Sequence, residues 1–164
     1  LLEDKPDASE QDIRDGLESL QPVHGRLCTV HSPQGVTVID DCYNANPGSV
    51  RAAIDVLAAC PGRRTLVLGG MRELGANSSA LHREVGEYAL AAGIDQLWGV
   101  GPELEVCVNA FGTNGRYFED RAAAVSALQG QFGAGDTVLV KGSRSAGMEQ
   151  VLQALLPDLK AEEH

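Results

Sequence analysis

The stretch VTVIDDCYNANPGS, residues 36–49, decides the fold. Val36, Thr37, Val38 and Ile39 favour a strand, and they run directly into two carboxylates and a polar loop. Asn46-Pro47 then offers an N-cap followed by a first helical residue. This strand, loop, helix order predicts that residues 40–46 lie in the crevice outside the carboxyl end of a strand, where open α/β sheets bind ligands.

Outward from that stretch, strand and helix patterns alternate. Upstream, Ser9 and Asp12 resemble a capping box, and Ile13, Leu17 and Leu20 keep helical spacing, so a short helix is expected over residues 9–20. Residues 26–30 and 36–39 flank Ser32-Pro33-Gln34-Gly35 and read as a pair of edge strands. Downstream, Val50, Ala53, Ile54 and Leu57 predict a helix that Pro61-Gly62 ends. Strands are expected at residues 65–68, 96–100, 116–118 and 137–140. Helices are expected over 78–92, near Pro102, after Asp120 and up to about residue 156. The alternation predicts right-handed crossovers and an α/β fold whose mainly parallel sheet is covered on both faces.

The 164 residues suffice for one domain, and 43% hydrophobic against 22% charged residues is an ordinary soluble composition. The net charge of −10 argues against a nucleic-acid or anionic-membrane partner. Half of that excess lies in residues 1–20, which carry seven acidic and two basic side chains. An acidic chain still binds an anion where a few cations converge. The four cysteines form no C-x-x-C pair, so neither zinc nor a disulfide framework is expected, and free thiols in the cytoplasm are. No apolar run reaches the length of a membrane span.

Three loops should meet at the carboxyl edge of the sheet: 40–46, 69–75 and 141–147. In the third, Lys141, Ser143, Arg144 and Ser145 precede a helix, where free N–H groups and the helix dipole favour an anion. Solvated cations in a plain turn are the alternative. Asp40 and Asp41 suit a ribose hydroxyl or a Mg²⁺ ion, or simply cap a turn. Tyr43 and Asn44 suit the lining of a nucleotide base. His82, one helical turn after Ser78, reads as a surface or supporting residue, and Glu73 as an orienting or solvated one. His24, His31 and His164 form no metal spacing with it. No G-x-x-x-x-G-K-[ST] occurs, nor a G-x-G-x-x-G between a strand and a helix.

Several motifs taken together carry a family resemblance. They are GRL from Gly25, IDDCYNANPGSVRAAI from Ile39, LGGMRELG from Leu68, HREVG from His82 and VLVKGSRSAGME from Val138. In this order they resemble the C-terminal domain of the Mur ligases, in particular the branch that adds D-Ala-D-Ala to UDP-N-acetylmuramoyl-tripeptide. The resemblance spans about residues 25–156 and implies a Rossmann-like three-layer domain with an antiparallel edge strand. It places residues 1–23 at the tail of a central ATPase domain, or in a linker helix, and residues 24–164 in the C-terminal domain.

In that family, ATP phosphorylates the UDP-linked peptide carboxylate and the dipeptide amine attacks the acyl phosphate, giving an amide and ADP. The resemblance implies that Arg26 reaches the ATP phosphates and Asp41 holds the ribose, while Tyr43, Asn44 and Asn46 line the nucleotide side. Lys141, Ser143, Arg144 and Ser145 fall on the acceptor side. It implies ATP and Mg²⁺ for the complete enzyme, with the P-loop and magnesium ligands in the central domain and no metal bound here. A cytoplasmic monomer follows, and a chain that does not ligate alone. Gly70 stands where the family commonly has Asp. The alternative is a stand-alone module for ligand binding or assembly without catalysis.

Overall fold

The computed structural model of the chain describes residues 27–156. The helix expected at residues 9–20, the proposed domain boundary and Arg26 lie outside the described residues. Strands β1 (Cys28–His31), β2 (Thr37–Asp41), β3 (Arg64–Gly69), β4 (Gln96–Val100), β5 (Gly115–Phe118) and β6 (Thr137–Lys141) form one sheet. Their order is β1-β2-β6-β3-β4-β5. Only β1 runs antiparallel, at the edge against β2, and every other pairing is parallel. The expected three-layer α/β domain with an antiparallel edge strand is therefore what the chain forms.

Helices α1 (Pro47–Ala58), α2 (Ser78–Ala91), α3 (Glu105–Phe111), α4 (Arg121–Ala127) and α5 (Glu149–Leu155) provide the crossovers. Strand side chains alternate between faces, which divides the core in two. Ile39, Leu66, Leu68, Leu97 and Leu139 pack with α1, α2 and α3 residues such as Ile54, Leu57, Val85 and Phe111. Val38, Val67, Trp98, Val138 and Val140 pack on the other face with Ala124 of α4 and Val151 and Leu152 of α5.

Local side-chain caps account for two of the five helix starts among the described residues. Asn46 caps α1 as expected: its Oδ1 accepts from the Ser49 N–H at 2.8 Å and the Ser49 hydroxyl accepts from the Asn46 N–H at 3.0 Å, with Pro47 at the first position. Asp120 caps α4 through the Ala123 N–H at 2.8 Å. One boundary moved with a consequence. The strand expected to stop at Ile39 continues to Asp41, because each residue from Thr37 to Asp41 pairs with β6 in register. Asp40 and Asp41 are therefore fixed by the ladder and not by a loop.

Helices α2 and α3 approach closely at Gly86. A Cβ there would stand 2.2 Å from the Cys107 carbonyl oxygen and 3.0 Å from its carbon, and backbone cannot move aside as a flexible side chain can. Gly86→Ala is expected to lose about 1–3 kcal/mol by forcing the helices apart, even though alanine is the better helix former. A thermal melt of the variant at or above the wild-type midpoint would show that the contact yields freely.

Candidate functional site

The carboxyl ends of β2, β6 and β3 lie side by side, and their loops form one crown. Register places Asp41 opposite Lys141 on adjacent strands. The Lys141 Nζ donates to Asp41 Oδ2 at 2.7 Å and to the Asn44 carbonyl at 2.9 Å. Both side chains are enclosed, with 3% of lysine and 13% of aspartate exposed. Little water screens this pair, so it clamps the 40–46 loop to the end of β6. The residue expected to bind nucleotide and a residue expected to bind the acceptor are thus each other's partner.

The other residues of the first loop divide by role. Asp40 is buried and its Oδ1 accepts from the Cys42 N–H at 3.2 Å, which is the turn-capping alternative. Asn44 and Asn46 spend their side-chain oxygens on the Ala45 and Ser49 N–H groups. Tyr43 is 44% exposed. Neither Cys42 nor Cys107 offers a nucleophile. Burial, then the Asp40 carboxylate, pushes the Cys42 thiol up, and burial pushes Cys107 up to about 12.

The third loop departs from expectation in its backbone. A 3-10 turn at Arg144–Ala146 intervenes before α5, and Gly147 makes the corner at φ 64°. The N–H groups of Ser143, Ala146 and Gly147 bond to the carbonyls of Gly70, Ser143 and Arg144. Helix α5 begins only at Glu149, a carboxylate where an anion site would need positive charge. Arg144 and Ser145 are exposed, Ser143 is buried, and the two serine hydroxyls lie 3.2 Å apart.

The second loop supplies residues that local pattern did not single out. Arg72 is exposed and its Nε donates to Ser145 Oγ at 2.9 Å, while its Nη2 lies 3.8 Å from Glu103 Oε1. Glu103 comes from the 3-10 turn Pro102–Leu104 beyond β4, and no sequence pattern linked it to this loop. Arg121 reaches in from α4 to the Gly147 carbonyl at 3.3 Å. Arg72, Arg121, Lys141 and Arg144 thus converge on one loop of an acidic chain.

His82 lies fully buried, which corrects its reading as a surface residue and favours the supporting one. Its Nε2 accepts from the Met71 N–H at 3.1 Å, so the ring proton sits on Nδ1 and is donated to the Ser78 carbonyl at 2.7 Å. His82 ties the 69–75 loop to α2. Glu73, two residues on, holds φ 61°, a left-handed conformation uncommon outside glycine. Among the described residues no group of three or more His, Cys, Asp or Glu is placed to hold a metal ion.

Comparison with known proteins gives concordant matches. Residues 25–144 match the family described as Mur ligase, glutamate ligase domain. The UDP-N-acetylmuramoyl-tripeptide–D-alanyl-D-alanine ligase of Escherichia coli is 46% identical over 145 residues, covering 87% of this chain and 32% of that protein. Its Haemophilus influenzae counterpart is 39% identical over 159 residues, covering 93% and 34%. Among solved structures, MurF ligase from Thermotoga maritima in complex with ADP superposes with a TM-score of 0.75 at 31% identity, covering 87% of this chain and 33% of that one. MurF from Acinetobacter baumannii gives 0.76 at 32%, covering 90% and 33%. The chain spans about a third of the length of these relatives.

Proposed function

The chain belongs to the Mur ligase family, and from that premise we propose that it forms the C-terminal domain of an ATP-dependent ligase joining D-Ala-D-Ala to UDP-N-acetylmuramoyl-tripeptide. The observation that carries this reading is the contact between Asp41 and Lys141. It makes one surface of the loop assigned to nucleotide and the loop assigned to acceptor, as a reaction needs when a phosphorylated carboxylate must meet an amine.

On this reading Asp41 accepts from the nucleotide ribose, with Lys141 fixing its carboxylate. Tyr43, Asn44 and Asn46 line the nucleotide side, and Arg26 reaches the phosphates. Ser143, Arg144 and Ser145 face the acceptor, and Lys141 serves that side by holding the base of its loop. On this reading the Mg²⁺ ion is held with the P-loop in the central domain of the ligase. The domain positions substrates and stabilises charge, and residues 24–164 do not ligate alone. The ligase works as a cytoplasmic monomer, without nucleic-acid or membrane partners. The net charge of −10 argues against a nucleic-acid partner, and no helix among the described residues is long and apolar enough to cross a membrane.

The test is phosphate release by the complete ligase, dependent on ATP and D-Ala-D-Ala. Asp41→Asn, which keeps the side-chain shape, is expected to lower kcat/KM for ATP at least about tenfold, the worth of one charge-assisted hydrogen bond. Wild-type turnover in this variant and in Arg26→Ala would refute the nucleotide assignment. A wild-type enzyme idle with D-Ala-D-Ala would refute the branch of the family.

A further inference from the structure

We propose that His82 is a positioning residue for the acceptor side of the site: from inside the core it fixes the Gly70–Met71 peptide, and through that peptide the Ser143 end of the acceptor loop. This rests on the ligase reading above and adds to it a fully buried residue that acts on the reaction from behind the crown.

The two loops leave regular structure at the same level. Gly69 is the last residue of β3 and Lys141 the last of β6, with Leu68 opposite Lys141 in the parallel register. Beyond those points the ladder no longer orients the backbone, and its polar groups need other partners. The Met71 N–H donates to His82 Nε2 at 3.1 Å, and the Gly70 carbonyl accepts from the Ser143 N–H at 3.0 Å. That N–H and that carbonyl belong to one peptide unit, which is planar and moves as one body. A turn of the plane that breaks the first bond therefore disturbs the second.

His82 is the fixed end of this chain. Its ring is fully buried, and Nδ1–H is held by the carbonyl of Ser78, the first residue of α2, at 2.7 Å. Met71 is buried too, so little water competes for its N–H. At the other end the loops approach closely: a Cβ on Gly142 would stand 3.2 Å from the Gly69 Cα. Glu103 closes over Gly70, where a Cβ would stand 2.3 Å from its Oε1. Gly69, Gly70 and Gly142 bring no side chain that could absorb a shift of the peptide. Ser143 Oγ lies 3.2 Å from Ser145 Oγ, so displacement of Ser143 carries to the exposed part of the loop.

A packing role for His82 needs only the volume of its ring, whereas positioning needs an acceptor at the place of Nε2. His82→Gln and His82→Asn separate the two. The glutamine amide lies as many bonds from Cα as Nε2 does and can accept from Met71, while the asparagine amide reaches only the place of Nδ1. In the complete ligase His82→Asn should raise KM for D-Ala-D-Ala about tenfold, the worth of one buried hydrogen bond, with KM for ATP unchanged. His82→Gln should stay within about threefold of the wild type. Hydrogen exchange gives a readout independent of turnover and of any variant: in the wild type, the Met71 and Ser143 amides should open together, with protection factors within about threefold of each other. His82→Asn should lower both. If the two variants raise KM for D-Ala-D-Ala equally, or if Ser143 keeps its protection in His82→Asn, His82 only packs and the proposal is overturned. A wild type idle with D-Ala-D-Ala overturns the ligase reading and the acceptor role of His82 with it, whereas separate opening of the two amides in an active ligase overturns the positioning role alone.

Discussion

Lys141→Met is expected to cost the domain about 3–5 kcal/mol, measured by urea unfolding followed by circular dichroism. Methionine fills similar space, so the loss is not one of packing. It arises because the Asp41 carboxylate, only 13% exposed, is left without its cation, and because the Asn44 carbonyl loses its donor. The cost of breaking such a pair exceeds what the pair contributes relative to an apolar replacement of both members. Asp41→Asn combined with Lys141→Met should therefore recover a large share of the loss, and the coupling in the double-mutant cycle should reach about 1–3 kcal/mol. If the single variant costs under about 1 kcal/mol, water screens the pair and it does not clamp the two loops.

Trp98→Ala should be of similar size, about 3–5 kcal/mol, and should come from a different source. Trp98, on β4 next to the edge strand β5, is fully buried in the core on the α4 and α5 face of the sheet. Its ring lies 5.1 Å from Phe118 and 5.5 Å from Phe132, and the Arg116 guanidinium sits over it at 4.6 Å. Truncation leaves a cavity between the Phe118 ring of β5 and the Phe132 ring of the segment before β6, and it removes the surface on which Arg116 stacks. Trp98→Phe should cost less than about 1.5 kcal/mol, because the indole N–H is buried with no partner among the described residues and its removal forfeits no bond. A phenylalanine variant as unstable as the alanine one would mean that the indole N–H bonds to something, most simply an ordered water.

Much of the site was legible because it follows strand ends. The order strand, carboxylates, Asn-Pro, helix is local, and it places residues 40–46 at the carboxyl edge. Asn46 and Pro47 took the cap and first-turn places that their chemistry favours. Arg72 was less legible, because an arginine beside a glutamate in an eight-residue motif looks the same whether it faces water or a neighbouring loop. Glu103 carried no signal, since its partner Gly70 is 33 positions away and is identified by the space it leaves.

The sequence by itself determined the α/β alternation, the Asn46 cap and the family, since each depends on neighbours within a turn or two of chain or on motifs in fixed order. Tertiary structure alone decided that β6 inserts between β2 and β3 and that the β2 ladder runs on to Asp41. It also decided that Lys141 spends its charge on Asp41, and that His82 turns inward to hold Met71. The physical reason is the same in each case. Strand order and the enclosure of a charge depend on which distant segments pack together, and local residue preferences do not encode those choices.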